Sequence, residues 1–142
     1  MSKNNKRKSG YTLMELIIVL SIIALLAAIA IPKYSKMTME AKKSTDKMNA
    51  KLIHNNVSLL LADNTSGFSE AISYNTYIKI TDSGHSIAEQ KIASTFQNVP
   101  KATAIPGDFF AYIKTDESVE IYVEKTAGNY IPIYPQGEDP YN

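Results

Sequence analysis

Few side chains in this 142-residue chain stand in a pattern that could carry a reaction. His54 lies beside Asn55 and Asn56, and His85 lies in a Gly/Ser loop. No H-x-x-x-H pair, nucleophile elbow or glycine-rich phosphate loop accompanies them, so nothing points to an enzyme. Asp82, Ser83 and Ser86 in one loop, and Glu138 and Asp139 in another, are oxygen ligands of the kind Ca²⁺ takes. Their spacing fits no ligand pattern, so neither a metal nor another cofactor is expected. The residue that demands an explanation is Glu15, an acid inside an apolar run that reaches Ile31 and holds one further polar residue, Ser21. A carboxylate drawn into hydrocarbon costs about 2.5–3.5 kcal/mol on insertion scales, so it requires a partner.

The element that positions Glu15 is a helix long enough to cross a bilayer. Tyr11 to Ile31 at about 1.5 Å per residue gives roughly 31 Å. Lys3, Lys6, Arg7 and Lys8 precede it and fix the leader on the cytoplasmic side. Pro32 removes a backbone hydrogen bond near the end of the run, which predicts a kink or local melting between Ala28 and Pro32. An ordinary secretory signal would end at small residues, and Ala27, Ala28 and Ala30 mimic such a site. That reading leaves Gly10 and Glu15 without a purpose.

Gly10-Tyr11-Thr12-Leu13-Met14-Glu15, with the basic leader before it and an apolar helix carrying Pro32 after it, resembles the N-terminal signature of type IV pilins and their pseudopilin relatives. The resemblance implies cleavage by a membrane prepilin peptidase between Gly10 and Tyr11, N-methylation of Tyr11, and filament assembly through the N-terminal helix. Glu15 would then pair with the new amine of Tyr11 on its own or a neighbouring chain. It also implies partnership with an assembly platform and its ATPase, and a helix able to stretch at Pro32. The first residue after the cut is most often Phe or Met in that family, whereas this chain has Tyr11. The match covers about 25 residues, and nothing after Pro32 is comparably diagnostic.

Charge is segregated along the chain. The leader contributes four positive charges, so the remainder is acidic although the formal net charge is +1. Lys33, Lys36, Lys42, Lys43, Lys47 and Lys51 face only Glu40 and Asp46 up to Ala62, whereas beyond it eleven acids outnumber five lysines. This gives nucleic-acid binding no support. Two solvated faces account for the asymmetry, as does a basic helix lying against the acidic head of a neighbour. With no cysteine in the chain, the head must depend on its core. Many Gram-negative pilins carry a C-terminal disulfide, so its absence leans toward a Gram-positive source.

Beyond Pro32, Met37, Ala41, Met48, Leu52 and Leu59 recur at helical spacing, with Ile53, Val57 and Leu60 widening the stripe. One helix from Tyr11 to Ala62 follows, stopped by Asp63-Asn64-Thr65-Ser66-Gly67. Phe68–Ser73 is ambiguous, Tyr74–Thr81 reads as a strand, and Ser86 with Glu89 forms a capping box for a helix over 87–98. Asp108–Lys114, Val119–Lys125 and Tyr130–Tyr134 read as a meander, with Pro132 demoting the third strand to an edge. Asp139 to Asn142 reads as a surface tail. The tyrosines of this region suit sheet packing, or alternatively an adhesive surface. Asn56-Val57-Ser58 and Asn64-Thr65-Ser66 match the glycosylation pattern but are discounted for a bacterial chain.

The expected fold is therefore α+β, with a long N-terminal helix packed against a small antiparallel sheet, as in type IV pilins. Its parts are a leader (1–10), an apolar membrane and assembly half-helix (11–32), an amphipathic half-helix (33–62) and a head (63–142). The leading reading is a pilus subunit that starts in the cytoplasmic membrane and ends in a surface homopolymer serving motility, adhesion or DNA uptake. Its rivals are a pseudopilin of a type II secretion or competence system, and a single-pass membrane protein with a binding head.

Overall fold

The computed structural model describes residues 10–63 and 67–141; the basic leader, the Asn64-Thr65-Ser66 sequon and Asn142 lie outside the described residues. The chain divides into two compact units, the first ending at Thr38 and the second beginning at Met39.

Helix α1 runs from Leu13 to Ala62 and contributes to both. It continues through Pro32 without a break, so the local melting expected at Ala28–Pro32 is not seen in the single chain. Two hydroxyls find acceptors within the helix, Ser21 Oγ donating to the Ile17 carbonyl at 2.8 Å and Thr38 Oγ1 to that of Ser35 at 2.8 Å. The large apolar side chains from Leu13 to Ile31 are exposed.

The second unit packs α2 (Phe68–Ala71), β1 (Tyr77–Ile80), α3 (Ile87–Ala93), β2 (Lys101–Ala102), β3 (Gly107–Ile113), β4 (Val119–Thr126) and β5 (Asn129–Tyr134) with the second half of α1. The sheet order is β1-β3-β4-β5, with β2 also on β3, and every pairing is antiparallel. β5 is an edge, as Pro132 requires, and the Pro132 carbonyl accepts from Glu138 N at 3.1 Å, so the following loop folds back over that edge. Alternate residues Phe109, Ala111, Ile113, Val119, Ile121 and Val123 face α1 and close the core with Ile53, Val57, Phe68 and Ile92.

Three expectations need correction. The helix face that packs on the sheet carries Asp46, Ala50, Ile53, Val57 and Leu61, whereas Met48, Leu52 and Leu59 of the stripe read from the sequence are exposed. At about 100° per residue, Ala41, Met48, Leu52 and Leu59 lie roughly half a turn away from the buried face. Periodicity centred the stripe on the far side and caught the buried face only at its margin, in Ile53 and Val57, because that face is interrupted by an acid and thinned by an alanine. Second, Tyr141 is fully buried, so the C-terminal segment is no surface tail. Third, α3 ends at Ala93 rather than near Asn98. Ser94 and Thr95 hydroxyls take the Lys91 and Ile92 carbonyls, both at 2.7 Å, and Thr95 N–H tightens onto Ile92 at 3.1 Å. Its capping box from Ser86 to Glu89 forms as the spacing predicts.

Candidate functional site

The N-terminus of α1 is built by two residues. Thr12 precedes the first helical turn, its Oγ1 accepting from Glu15 N at 3.2 Å. Glu15 Oε2 in return accepts from Thr12 N at 2.7 Å and from Thr12 Oγ1 at 2.9 Å. This reciprocal arrangement is a capping box, which satisfies backbone donors that a helix start leaves open. The Thr-x-x-Glu spacing is visible in the sequence, but an acid at the edge of an apolar run directs attention to a more distant partner. Ahead of the box, Gly10 and Tyr11 lie outside the helix, Tyr11 94% exposed. A Cβ placed on Gly10 would meet nothing within 4 Å, so this fold does not itself demand glycine there.

α1 is long and apolar enough to cross a membrane, and the apolar window that qualifies it is wholly unburied by the chain's own residues. Pro32 lies just beyond that apolar stretch.

In the second unit the notable group is Asp46, fully buried on the packed face of α1. Its Oδ1 accepts from Thr103 N (2.8 Å) and Thr103 Oγ1 (3.0 Å). Its Oδ2 accepts from Ala104 N (2.8 Å) and the Tyr141 hydroxyl (2.9 Å). Burial, and then the hydrogen bond to Asp46, push the Tyr141 hydroxyl above its ordinary titration range. Gly137 packs tightly beside it, and a Cβ there would come to 3.2 Å from Tyr141 and push that neighbour by a few tenths of an ångström. The cluster ties helix, β2–β3 loop and C-terminal segment together. Sequence reading missed it because an acid on a lysine-rich helix looks like a solvated one.

The remaining candidates are structural in their contacts. His54 Nδ1 lies 3.0 Å from the Val119 carbonyl, to which it donates, and the ring sits edge-on to Tyr134 at 4.8 Å. His85 is exposed, its backbone N–H donating to Glu89. Ser86 caps α3 and Asp82 accepts from Val99 N at 3.4 Å. Among the described residues no cluster of three acids or histidines could hold a metal.

The outer sheet face carries rings that pack on one another. Tyr77 stacks on Tyr130 at 3.8 Å and 13°, while Tyr112 and Tyr122 approach Tyr77 at 4.9 and 5.2 Å. Phe110 is buried against Tyr130. Tyr122 donates to Glu120 at 2.8 Å, and Lys114 reaches the other oxygen of that carboxylate at 2.7 Å. Lys114 holds Glu120 below the usual carboxylate range, and burial raises Tyr122.

A long apolar-then-amphipathic helix, a small antiparallel sheet packed on its second half, and an acid three positions after a threonine at its start form an architecture similar to that of type IV pilins. Residues 5–31 match the family model described as the prokaryotic N-terminal methylation motif. The chain is 46% identical over 54 residues to a protein named type IV major pilin protein PilA from Myxococcus xanthus, covering 38% of this chain and 24% of that one. It is 40% identical over 86 residues to prepilin peptidase-dependent protein A from Clostridium perfringens, covering 60% of this chain and 56% of the relative. The chain thus spans about a quarter and about half of these relatives' own lengths. No solved structure matches it significantly.

Proposed function

We propose that the chain is the structural subunit of a type IV pilus, cleaved by a prepilin peptidase after Gly10, N-methylated on Tyr11 and polymerised through α1. Gly10 and Tyr11 lie in exposed, non-helical backbone, the form a protease needs, and the glycine answers to a requirement outside this fold. The membrane holds the subunit before assembly; the assembly platform and its ATPase extract it, and the filament reaches the cell surface. The protein performs no catalytic turnover.

The observation that carries this reading is the apolar stripe on the back of α1 in the second unit. Met48 is 71% exposed and Leu59 70%, on the side of the helix turned from its own core. A membrane accounts for the exposed residues from Leu13 to Ile31, but a single-pass receptor has no use for a stripe on the head half of the helix. Further copies of the same helix cover both stretches with one kind of contact.

Within the helix bundle Glu15 exchanges Thr12 for the amine of Tyr11 on its own or a neighbouring chain. An acid left unpaired there is strongly destabilising, so the pairing selects register while apolar burial supplies most of the affinity. Pro32 marks where the helix stretches.

Intact-mass analysis of the protein from cells tests the reading. A chain beginning at methylated Tyr11 is expected; one that retains Met1 identifies a single-pass membrane protein instead. Glu15→Ala is expected to leave a processed subunit in the membrane that assembles poorly, and normal filaments from that variant would remove the pairing role. Long surface fibres distinguish a pilin from a pseudopilin with its short filament.

A further inference from the structure

A cleft of about 470 Å³ opens at the edge of the head, lined by Glu120, Tyr122, Pro132, Tyr134, Gln136 and Glu138. Its chemistry is specific: two carboxylates and two tyrosine rings, with proline walls and no cation of its own among the lining residues. Glu120 is already engaged, one oxygen by Lys114 and the other by Tyr122. Glu138 is exposed, forms no ion pair among the described residues, and brings a negative charge to the rim. A free carboxylate in a cleft that tyrosines also line is a site for an ammonium group, which draws on the charge and on nearby aromatic surface.

The chain itself presents such groups. Lys33, Lys36, Lys43, Lys47 and Lys51 fall along one flank of α1 at helical spacing. Lys43 pairs with Glu40 at 3.2 Å, and Lys47 and Lys51 line a separate hollow of about 360 Å³ against Tyr134 and Pro135 of their own head. Lys33 and Lys36 are exposed and, among the described residues, form no ion pair. They follow directly on the apolar run.

Resting on the filament reading above, we propose that the cleft around Glu138 binds a lysine ammonium, from Lys33 or Lys36 on α1 of an axially displaced second copy. Copies drawn from one membrane are parallel, so a repeated contact must join two different surfaces of the chain, here an acidic cleft and a basic flank. Complementary charge of this kind sets register and excludes misaligned neighbours more than it adds affinity.

The experiment uses cells making the full chain and compares sheared filaments with the subunit held in the membrane. Glu138→Lys, an exposed change, is expected to leave the membrane level of processed subunit unchanged and to abolish most filaments. Adding Lys33→Glu and Lys36→Glu to the same chain is expected to restore them. Because the chain has no cysteine, Glu138→Cys combined with Lys36→Cys, or with Lys33→Cys, reports the contact directly as a ladder of disulfide-linked multimers. Wild-type filaments that form equally well with Glu138→Lys, or a Glu138→Lys defect that the double reversal does not rescue, overturn the cleft contact and leave the pilin reading standing. A wild-type chain that forms no polymer removes the second copy and overturns both.

Discussion

The hydroxyl of Tyr141 donates to Oδ2 of Asp46 at 2.9 Å, across a separation of 95 residues. A cysteine-free head thereby closes its C-terminal segment onto its helix with a buried acid instead of a covalent staple. Asp46→Ala would strand the Thr103 and Ala104 N–H groups and the Tyr141 hydroxyl at once. The expected loss is about 3 kcal/mol or more, against about 1 kcal/mol for Tyr141→Phe, which removes one donor to Asp46 and a long 3.4 Å acceptor for the Ile105 N–H. Urea unfolding of the detergent-solubilised full chain measures both. An Asp46→Ala head as stable as wild type would show that the cluster carries no weight.

The same contact sets an alkaline limit. The Tyr141 hydroxyl is raised above its ordinary value of 10.0, by burial first and then by Asp46. A group whose folded value is raised stabilises fully below its unfolded value, and that contribution is lost as pH climbs from there through the folded value. Stability is therefore expected to fall above pH 10.0, and to fall less steeply in Tyr141→Phe. Tyr77 and Tyr122 shift in the same direction, so the difference between the two chains, not the fall itself, is the readout.

The two apolar sides of α1 should respond oppositely to mutation. Ile53→Ala, on the packed side, is expected to cost about 2–5 kcal/mol in unfolding experiments, because it leaves a cavity in a closed core. Leu59→Lys, on the back, should change the stability of the solubilised subunit by no more than about 0.5 kcal/mol. It should nevertheless reduce filament yield sharply. Equal filament yields from Leu59→Lys and wild type would mean that nothing packs there.

At the other end of α1, Thr12→Val removes the hydroxyl that caps the helix, whereas Thr12→Ser keeps it. The first turn is expected to lose about 1 kcal/mol in the Thr12→Val chain relative to wild type and almost nothing in Thr12→Ser. Amide hydrogen exchange at Glu15 and Leu16 in micelles reads the difference, and equal protection in all three chains would dismiss the capping role.

The antiparallel head and the long helix were legible because their signals are local. Val119, Ile121 and Val123 alternate with Glu120, Tyr122 and Glu124, and the observed strand buries the first set as that alternation requires. Pro132 placed its strand at an edge, and Ser86 with Glu89 fixed the start of α3. What escaped was long-range. Nothing near Asp46 in sequence announces Thr103, Ala104 or Tyr141, and a helix with two apolar stripes gives no local indication of which one the sheet will cover. β1 begins at Tyr77 and not Tyr74 because Asn75 adopts a left-handed conformation with φ 59°, which no alternation pattern reveals. The tyrosines pack on the sheet as their β-rich positions suggest, though their mutual stacking over the outer face depends on register.

Glu15 is held by Thr12 in the solitary chain, and that has a thermodynamic corollary for the polymer. On the filament reading the carboxylate never waits unpartnered, so docking swaps one set of donors for another and releases only the difference between them. An acid that only exchanges partners selects its neighbour while adding little net cohesion, which on that reading leaves apolar burial to hold the copies together.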